Sequence, residues 1–192
     1  MKTIYFITHP EVVIDPTVPV SDWPLSEKGI NRMKQLLTQP WVKEIRAIYC
    51  STEQKAIDGA KILADHLALG YEMRQDLGEN DRSSTGFLPK EEFEATANQF
   101  FAQPDQSVRG WETATAAQQR LVNGMRAIID TDQTEGNIAV VSHGGVGALY
   151  LCYLKRSPIS RVEDQPGNGG GNYYAFHPET NTLLHGWKSI DG

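Results

Sequence analysis

Apolar residues along the chain fall into short unbroken runs and into longer stretches with a helical period. Short runs rich in β-branched and aromatic residues are typical of buried strands, and they occupy residues 2–8, 45–50 and 137–142. We expect a further short strand at residues 71–77. Stretches with apolar side chains on one face predict helices. One predicted helix follows Ser26, which we expect to cap it, and a second runs from Ser51 until Gly70 terminates it. Three more are predicted at residues 90–101, 111–130 and 146–153. The end of the chain suits a hairpin over residues 172–176 and 182–187.

The order of these elements predicts the fold class. Strands that alternate with helices indicate a layered α/β fold with a mostly parallel sheet. The 192 residues show no internal repeat and suit one domain, residues 1–192. Between residues 78 and 110 the pattern weakens, and we interpret this part as an insertion that forms a lid. We expect its aromatic side chains to form a small lid core, with contact to a substrate as the alternative: Phe87, Phe93, Phe100, Phe101 and Trp111.

The composition of the chain argues against nucleic acids and anionic membranes as binding partners. Lys and Arg number 18 against 24 Asp and Glu, so the formal net charge is −6. Affinity for nucleic acids and anionic membranes comes from clustered Lys and Arg, and no such cluster is present, so we expect neither partner. Cys50 and Cys152 lie in apolar segments without metal-ligand spacing, which favours reduced thiols. Residues 1–10 do not form a signal sequence and no long apolar run follows, so we expect a cytoplasmic protein.

Two histidines stand at the ends of two predicted strands. His9 follows the first run and His143 follows residues 137–142. The carboxyl ends of parallel strands meet at one edge of a sheet, where ligands of α/β folds bind. One histidine at a strand end is more often structural, but two at the same edge indicate a functional site.

Five short segments carry a resemblance to a known family. In order along the chain they are Thr8-His9-Pro10, Leu25-Ser26-Glu27-Lys28-Gly29, Ser51-Thr52-Glu53-Gln54-Lys55-Ala56, Leu77-Gly78-Glu79 and Ser142-His143-Gly144-Gly145. In this order the set resembles the histidine phosphatase superfamily, also called phosphoglycerate-mutase-like, over nearly the whole chain. The resemblance implies a three-layer α/β/α sandwich with a mostly parallel central sheet.

The resemblance also implies phosphoryl transfer through a phosphohistidine. His9 then matches the nucleophile and His143 the histidine that helps to bind the transferring phosphoryl group. Glu79 matches the acid that protonates the leaving oxygen, although a solvated loop carboxylate is an equal alternative. The expected substrate is a small phosphomonoester, with hydrolysis preferred to isomerisation because the insertion is short. No metal or organic cofactor is implied, and a homodimer is an open possibility.

Several positions depart from the pattern that the family shows. Thr8 and Pro10 stand where the family has Arg and Gly, Lys55 stands at a second Arg position, and Asp15 stands where Asn is usual. An arginine lost and an aspartate gained change the charge of the expected phosphate site by −2. Lysine is a point charge and threonine offers only a hydroxyl, so both hold a phosphoryl dianion less firmly than arginine. Compensation by Arg82 in the insertion or Arg32 on the first helix is conceivable.

These departures leave two further hypotheses beside the phosphatase. One is a binding or regulatory module of the same fold with weakened catalysis. The other, less favoured, is a metal site built from His9, His143, Glu79 and Asp15. The glycine-rich segment 167–171 lacks the following Lys-Ser/Thr and helix of a P-loop, so we expect a loop that borders the site.

Overall fold

A six-stranded sheet forms the centre of the molecule in a computed structural model that describes residues 1–192. Its strands are β1 (Ile4–Thr8), β2 (Ile45–Cys50), β3 (Glu72–Met73), β4 (Asn137–Ser142), β5 (Asn172–His177) and β6 (Thr182–Ser189). They lie in the order β3-β2-β4-β1-β5-β6. The first four strands are parallel, whereas β5 is antiparallel to β1 and to β6. The mostly parallel central sheet predicted from the sequence is confirmed.

Helices cover both faces of this sheet. They are α1 (Glu27–Leu36), α2 (Gln54–Leu67), α3 (Lys90–Ala102), α4 (Ala114–Thr131) and α5 (Gly144–Lys155). Successive side chains of a strand point to opposite faces, and in β1 Phe6 packs with the side chains of α4 and α5 while Ile7 packs with those of α1 and α2. Apolar cores on both faces explain why β1 is a nearly continuous apolar run. The three-layer sandwich is therefore confirmed.

Side-chain caps set the starts of two helices close to where the sequence predicts them. Ser26 Oγ accepts a hydrogen bond from the backbone N–H of Gly29 at 3.1 Å, as expected for a serine cap. Thr113 caps α4 in the same way through the N–H of Ala116. The helix predicted over residues 111–130 therefore begins at Ala114, because the capping residue itself has extended backbone geometry.

The third predicted strand is much shorter than expected. Only Glu72 and Met73 pair with β2, and both are exposed at the edge of the sheet. The N–H of Arg74 still donates to the carbonyl of Cys50, after which Gln75–Leu77 forms a 3-10 turn. The prediction of a strand over residues 71–77 is wrong because only two residues find a neighbouring strand to pair with.

The predicted insertion is anchored by its aromatic residues. Phe100, Phe101 and Trp111 are buried in the core beside α4 and α5. Phe93 packs against that core, whereas Phe87 is 41% exposed and lies against Trp23. The segment thus has its own contacts with the core and leaves one aromatic ring at the surface. No helix combines the length and the apolar character needed to cross a bilayer.

Candidate active site

His9 comes directly after β1, and its ring is held by the neighbouring backbone. Nδ1 lies 2.9 Å from the carbonyl oxygen of Pro10. A carbonyl only accepts hydrogen bonds, so Nδ1 carries the proton and Nε2 keeps its lone pair. Burial, followed by the nearby charges of His143 and Lys55, lowers the pKa of His9 to about 3. The imidazole is therefore neutral at pH 7, with an unprotonated Nε2.

The two strand-end histidines lie side by side, as the sequence predicts. Thr8 of β1 pairs with Ser142 of β4, and the N–H of His9 donates to the carbonyl of Ser142 at 3.2 Å. This register brings the rings of His9 and His143 to 5.2 Å between centroids, in an edge-on arrangement. The parallel pairing of two central strands thus creates the centre of the site.

Glu53 and Ser51 fix the ring of His143. Nε2 of His143 lies 2.9 Å from Glu53 Oε2 and 2.7 Å from Ser51 Oγ, and the side chain is almost fully buried. Glu53 is not among the site residues predicted from the sequence. A signal was present, because Glu53 comes just after β2, whose carboxyl end lies beside that of β4.

The carboxylate of Glu53 also contacts two other predicted site residues. Oε2 accepts a hydrogen bond from the N–H of Glu79 at 2.9 Å, and Oε1 lies 3.6 Å from Lys55 Nζ. Burial alone would raise the pKa of Glu53, but His143 and Lys55 outweigh it and hold that pKa well below its usual value. One ionised carboxylate therefore links His143, Lys55 and the backbone of Glu79.

Glu79 lies at the positive end of α5. Its two carboxylate oxygens accept hydrogen bonds from the N–H groups of Gly145 and Val146, both at 2.9 Å. Burial favours the neutral acid, yet the charges of Arg82 and His143 and these amides lower the pKa of Glu79 overall. In this arrangement Glu79 is an ionised hydrogen-bond acceptor.

Two cationic side chains extend into the same cavity. Lys55 is almost fully buried, donates from Nζ to the carbonyl of Val20 at 2.7 Å and lies over the Trp23 ring. Burial lowers the pKa of Lys55 even though Glu53 and Glu79 oppose that change. Arg82 lies in the cavity wall with Nη2 3.7 Å from Glu79 Oε2. Positive charge therefore remains near the histidines without an arginine at position 8.

Thr8 and Asp15, two expected phosphate ligands, lie elsewhere. Thr8 is fully buried, with Oγ1 donating to Gln165 Oε1 at 2.8 Å and accepting from the N–H of Asn172 at 3.0 Å. Asp15 instead accepts hydrogen bonds from the N–H and hydroxyl of Thr17 in a local turn. Neither residue lines the cavity, so the structure does not bring them together with the other expected phosphate ligands. Asp15 adds no negative charge to the site.

Arg32 has a structural role and does not replace the arginine that is missing at position 8. Its guanidinium forms ion pairs with Glu11 and Asp191 and donates to the carbonyl of Gly171. It thereby holds the glycine-rich segment 167–171 in place. The N–H of Gly171 in turn donates to the carbonyl of His9 at 3.0 Å, so this loop borders the site as expected.

The histidines open into a cavity of about 1570 Å³. Its inner end contains His9, Glu53, Lys55, Glu79 and His143. An apolar wall, defined as Val12, Ile14, Val20, Trp23, Met73, Phe87, Leu88 and Phe93, lines the remainder together with polar groups. The rings of Trp23 and Phe87 approach to 5.7 Å between centroids. The cavity is therefore much larger than a phosphate group alone would fill.

The structure gives no support to a metal site at these residues. Nowhere in the chain do three or more His, Cys, Asp or Glu side chains form a group that could hold a metal ion. Asp15 lies outside the cavity and the oxygens of Glu79 are bound to backbone amides.

Comparisons with known proteins agree with this architecture. YhfR of Bacillus stearothermophilus superimposes with a TM-score of 0.76 at 22% identity, covering 97% of this chain and 95% of that chain. A mutant phosphoserine phosphatase from Entamoeba histolytica in complex with phosphoserine gives 0.76 at 16% identity, covering 99% and 98%. A mycobacterial glucosyl-3-phosphoglycerate phosphatase with inorganic phosphate gives 0.75 at 17% identity, covering 100% of both chains. At these identities the likeness concerns the fold.

Sequence comparison gives the family directly. No curated protein matches the chain. The sequence profile of the histidine phosphatase superfamily (branch 1) matches residues 4–185, which is most of the chain and includes both strand-end histidines. The chain therefore belongs to the histidine phosphatase superfamily, branch 1.

Proposed function

We propose that the protein is a phosphatase that hydrolyses a small phosphomonoester through a phosphohistidine on His9. The observation that carries this proposal is the contact between His9 Nδ1 and the carbonyl of Pro10. It fixes the tautomer in which Nε2 is the nucleophile, and the low pKa of His9 keeps that lone pair free near pH 7. Pro10 lacks an N–H but supplies the carbonyl that this task requires.

The reaction has two steps. Nε2 of His9 attacks phosphorus, the bond between phosphorus and the ester oxygen breaks, and that oxygen leaves as an alcohol once it has taken a proton. A water molecule then attacks the phosphorus of phospho-His9, the N–P bond breaks, and inorganic phosphate is released. Such chemistry depends mainly on positioning and on stabilisation of the phosphoryl charge.

The surroundings of His9 supply that stabilisation in this proposal. Lys55 lies on the wall of this cavity, and the positive N-terminal end of α5 lies directly behind Glu79, which also lines it. The ring of His143, held by Glu53, lies 5.2 Å from that of His9, and in this proposal His143 binds the transferring group. A buried cavity strengthens these interactions relative to water.

Glu79 protonates the leaving oxygen in this proposal after exchanging its partners. A phosphoryl group that takes the amides of Gly145 and Val146 removes the hydrogen bonds that stabilise the ionised carboxylate. Loss of those bonds, together with the negative charge of the substrate, raises the proton affinity of Glu79. The displaced carboxyl group can then carry a proton to the ester oxygen.

The apolar wall suggests the class of leaving group. Trp23 and Phe87 pack against each other in the cavity wall, and Phe87 is exposed enough to meet a ligand. Apolar and aromatic surface favours a leaving group with an apolar or aromatic part over a small sugar acid.

A binding or regulatory module with weak catalysis is the second candidate. The position of Thr8 favours it, since this residue is committed to Gln165 and Asn172 and brings no charge to phosphate. Phosphate release from a broad panel of phosphomonoesters separates the two candidates. The phosphatase requires turnover that His9→Ala abolishes and His66→Ala, a change of an exposed histidine on α2, preserves. Phosphate binding without turnover of any member supports the module.

A further inference from the structure

Asn80, which follows Glu79, carries a buried donor without a partner. The residue is 3% exposed and lines the cavity that contains His9. Oδ1 accepts a hydrogen bond from Arg82 Nε at 2.9 Å, whereas Nδ2 has no hydrogen-bond partner. It is the only buried side-chain nitrogen or oxygen in the protein of which this is true. An unpaired buried donor destabilises a fold, which makes a ligand acceptor the natural partner.

Arg82 is held rigidly beside this donor. Its guanidinium lies 4.9 Å from the ring centroid of Phe93 and 5.0 Å from that of Trp111. The bond from Nε to Asn80 fixes the plane of the guanidinium, and neither Nη atom donates a hydrogen bond within the chain. Stacking on aromatic rings and a fixed Nε leave the Nη groups as oriented donors.

The guanidinium of Arg82 lies close to the start of α5. A side-chain Cβ placed on Gly145 would lie 3.0 Å from Arg82 Nη2, so the guanidinium approaches the helix backbone at that residue. Nearby carboxylates have other partners: Asp81 binds Ser83, and Glu112 pairs with Arg120. Glu79 is the one acidic side chain that Arg82 faces, at 3.7 Å.

We infer that Asn80 Nδ2 and the Nη groups of Arg82 form a binding pair for a phosphoryl oxygen of the substrate. The pair supplies, from the segment after Glu79, the planar donors that the chain lacks at Thr8. The anionic nature of the ligand follows from the donor set, since Nδ2 and the guanidinium only donate. The inference rests on the proposed function for the identity of the phosphorylated ligand.

Binding of inorganic phosphate and of vanadate tests the pair without turnover. Asn80→Asp keeps the size of the side chain, removes the donor and neutralises Arg82, so we expect affinity to fall roughly ten- to a hundred-fold. Arg82→Lys keeps the charge but loses the planar donors, and we expect a loss of roughly tenfold. Asn123→Asp, on an exposed position of α4, adds the same charge elsewhere and leaves affinity unchanged.

The outcomes separate this inference from the proposed function. Unchanged affinity in a folded Asn80→Asp and in Arg82→Lys overturns the pair, as does a natural protein that binds neither anion. If Asn80→Asp does not fold, as judged by thermal denaturation, Arg82→Lys decides alone. Weakened anion binding in both variants supports the pair even if no ester is hydrolysed, a result that counts against the proposed function only.

Discussion

Glu53 Oε2 lies 2.9 Å from Nε2 of His143 and accepts the N–H of Glu79 at the same distance. The start of α2 is thereby connected to the end of β4 and to the segment that carries Glu79. A single buried carboxylate sets the positions of groups from three parts of the chain. Its removal should therefore affect both stability and the site.

Glu53→Gln should reduce the free energy of unfolding by about 1.5–3 kcal/mol at pH 7, because a charged hydrogen-bond partner is lost. The pKa of Glu53 is below its usual value of 4.5 in the folded chain, so this contribution is complete above about pH 4.5 and falls as the pH decreases. Denaturant unfolding of both proteins from pH 3 to pH 7 measures the difference.

Glu91→Gln, at an exposed position of α3, is the control, and its free energy of unfolding should equal that of the natural protein at every pH. If the free energies of unfolding of the natural protein and Glu53→Gln differ as much at pH 3 as at pH 7, the ion-pair role of Glu53 is contradicted.

The central strands were predictable from sequence, whereas the edge of the sheet was not. Residues 45–50 and 137–142 match β2 and β4 because strands covered on both faces consist of largely apolar runs. Residues 71–77 contain four polar side chains and no β-branched one, and the length of a strand there depends on pairing with a neighbour that comes from elsewhere in the chain. Local composition carries no information about where that neighbour ends.

The site was predictable to the extent that it follows strand ends. His9 and His143 meet because β1 and β4 are parallel neighbours. Glu53 was not predicted as a site residue, because its role depends on its contact with His143, which only the folded chain creates. Thr8 was assigned to the site because it stands where the family has arginine, yet its hydroxyl forms hydrogen bonds with Gln165 and Asn172.

Thr8→Arg should not restore a phosphate ligand. The side chain is fully buried and away from the cavity, so a new guanidinium there is an unpaired buried charge that costs about 3–5 kcal/mol. Thermal denaturation should show a large loss of stability, and phosphate titration should show no gain in affinity. Thr38→Arg, at an exposed position, should be harmless. A folded Thr8→Arg protein with tenfold tighter phosphate binding would refute this placement of Thr8.

Glu79→Gln tests the proton donor. Alkyl phosphates should be hydrolysed roughly 10²–10⁴ times more slowly, whereas p-nitrophenyl phosphate, whose phenolate leaves with little help, should barely be affected. Steady-state kinetics with both substrates measures the ratio, with Glu91→Gln as the control. Equal slowing of the two substrates would assign Glu79 to the support of α5 through Gly145 and Val146.

Phe87→Ala tests the apolar wall. The ring is 41% exposed and packs on Trp23, so its truncation should cost little stability. Loss of an aromatic contact worth about 0.5–1.5 kcal/mol should raise KM for aryl phosphates by about two- to tenfold. Hydrolysis of a small polar ester such as a phosphoglycerate should stay the same. Val162→Ala, an exposed position outside the cavity, is the matched control, and equal effects of the two changes would exclude Phe87 from substrate binding.

The most direct test of the central claim is the chemical nature and position of the covalent intermediate. Brief incubation with a reactive aryl phosphate, followed by rapid denaturation and peptide mapping, should reveal a phosphoryl group on His9 that is labile in acid and stable in base. His9→Ala should carry no label and His66→Ala should carry the same label as the natural protein. A label that persists in His9→Ala, or that maps to a serine, would contradict a mechanism through phospho-His9.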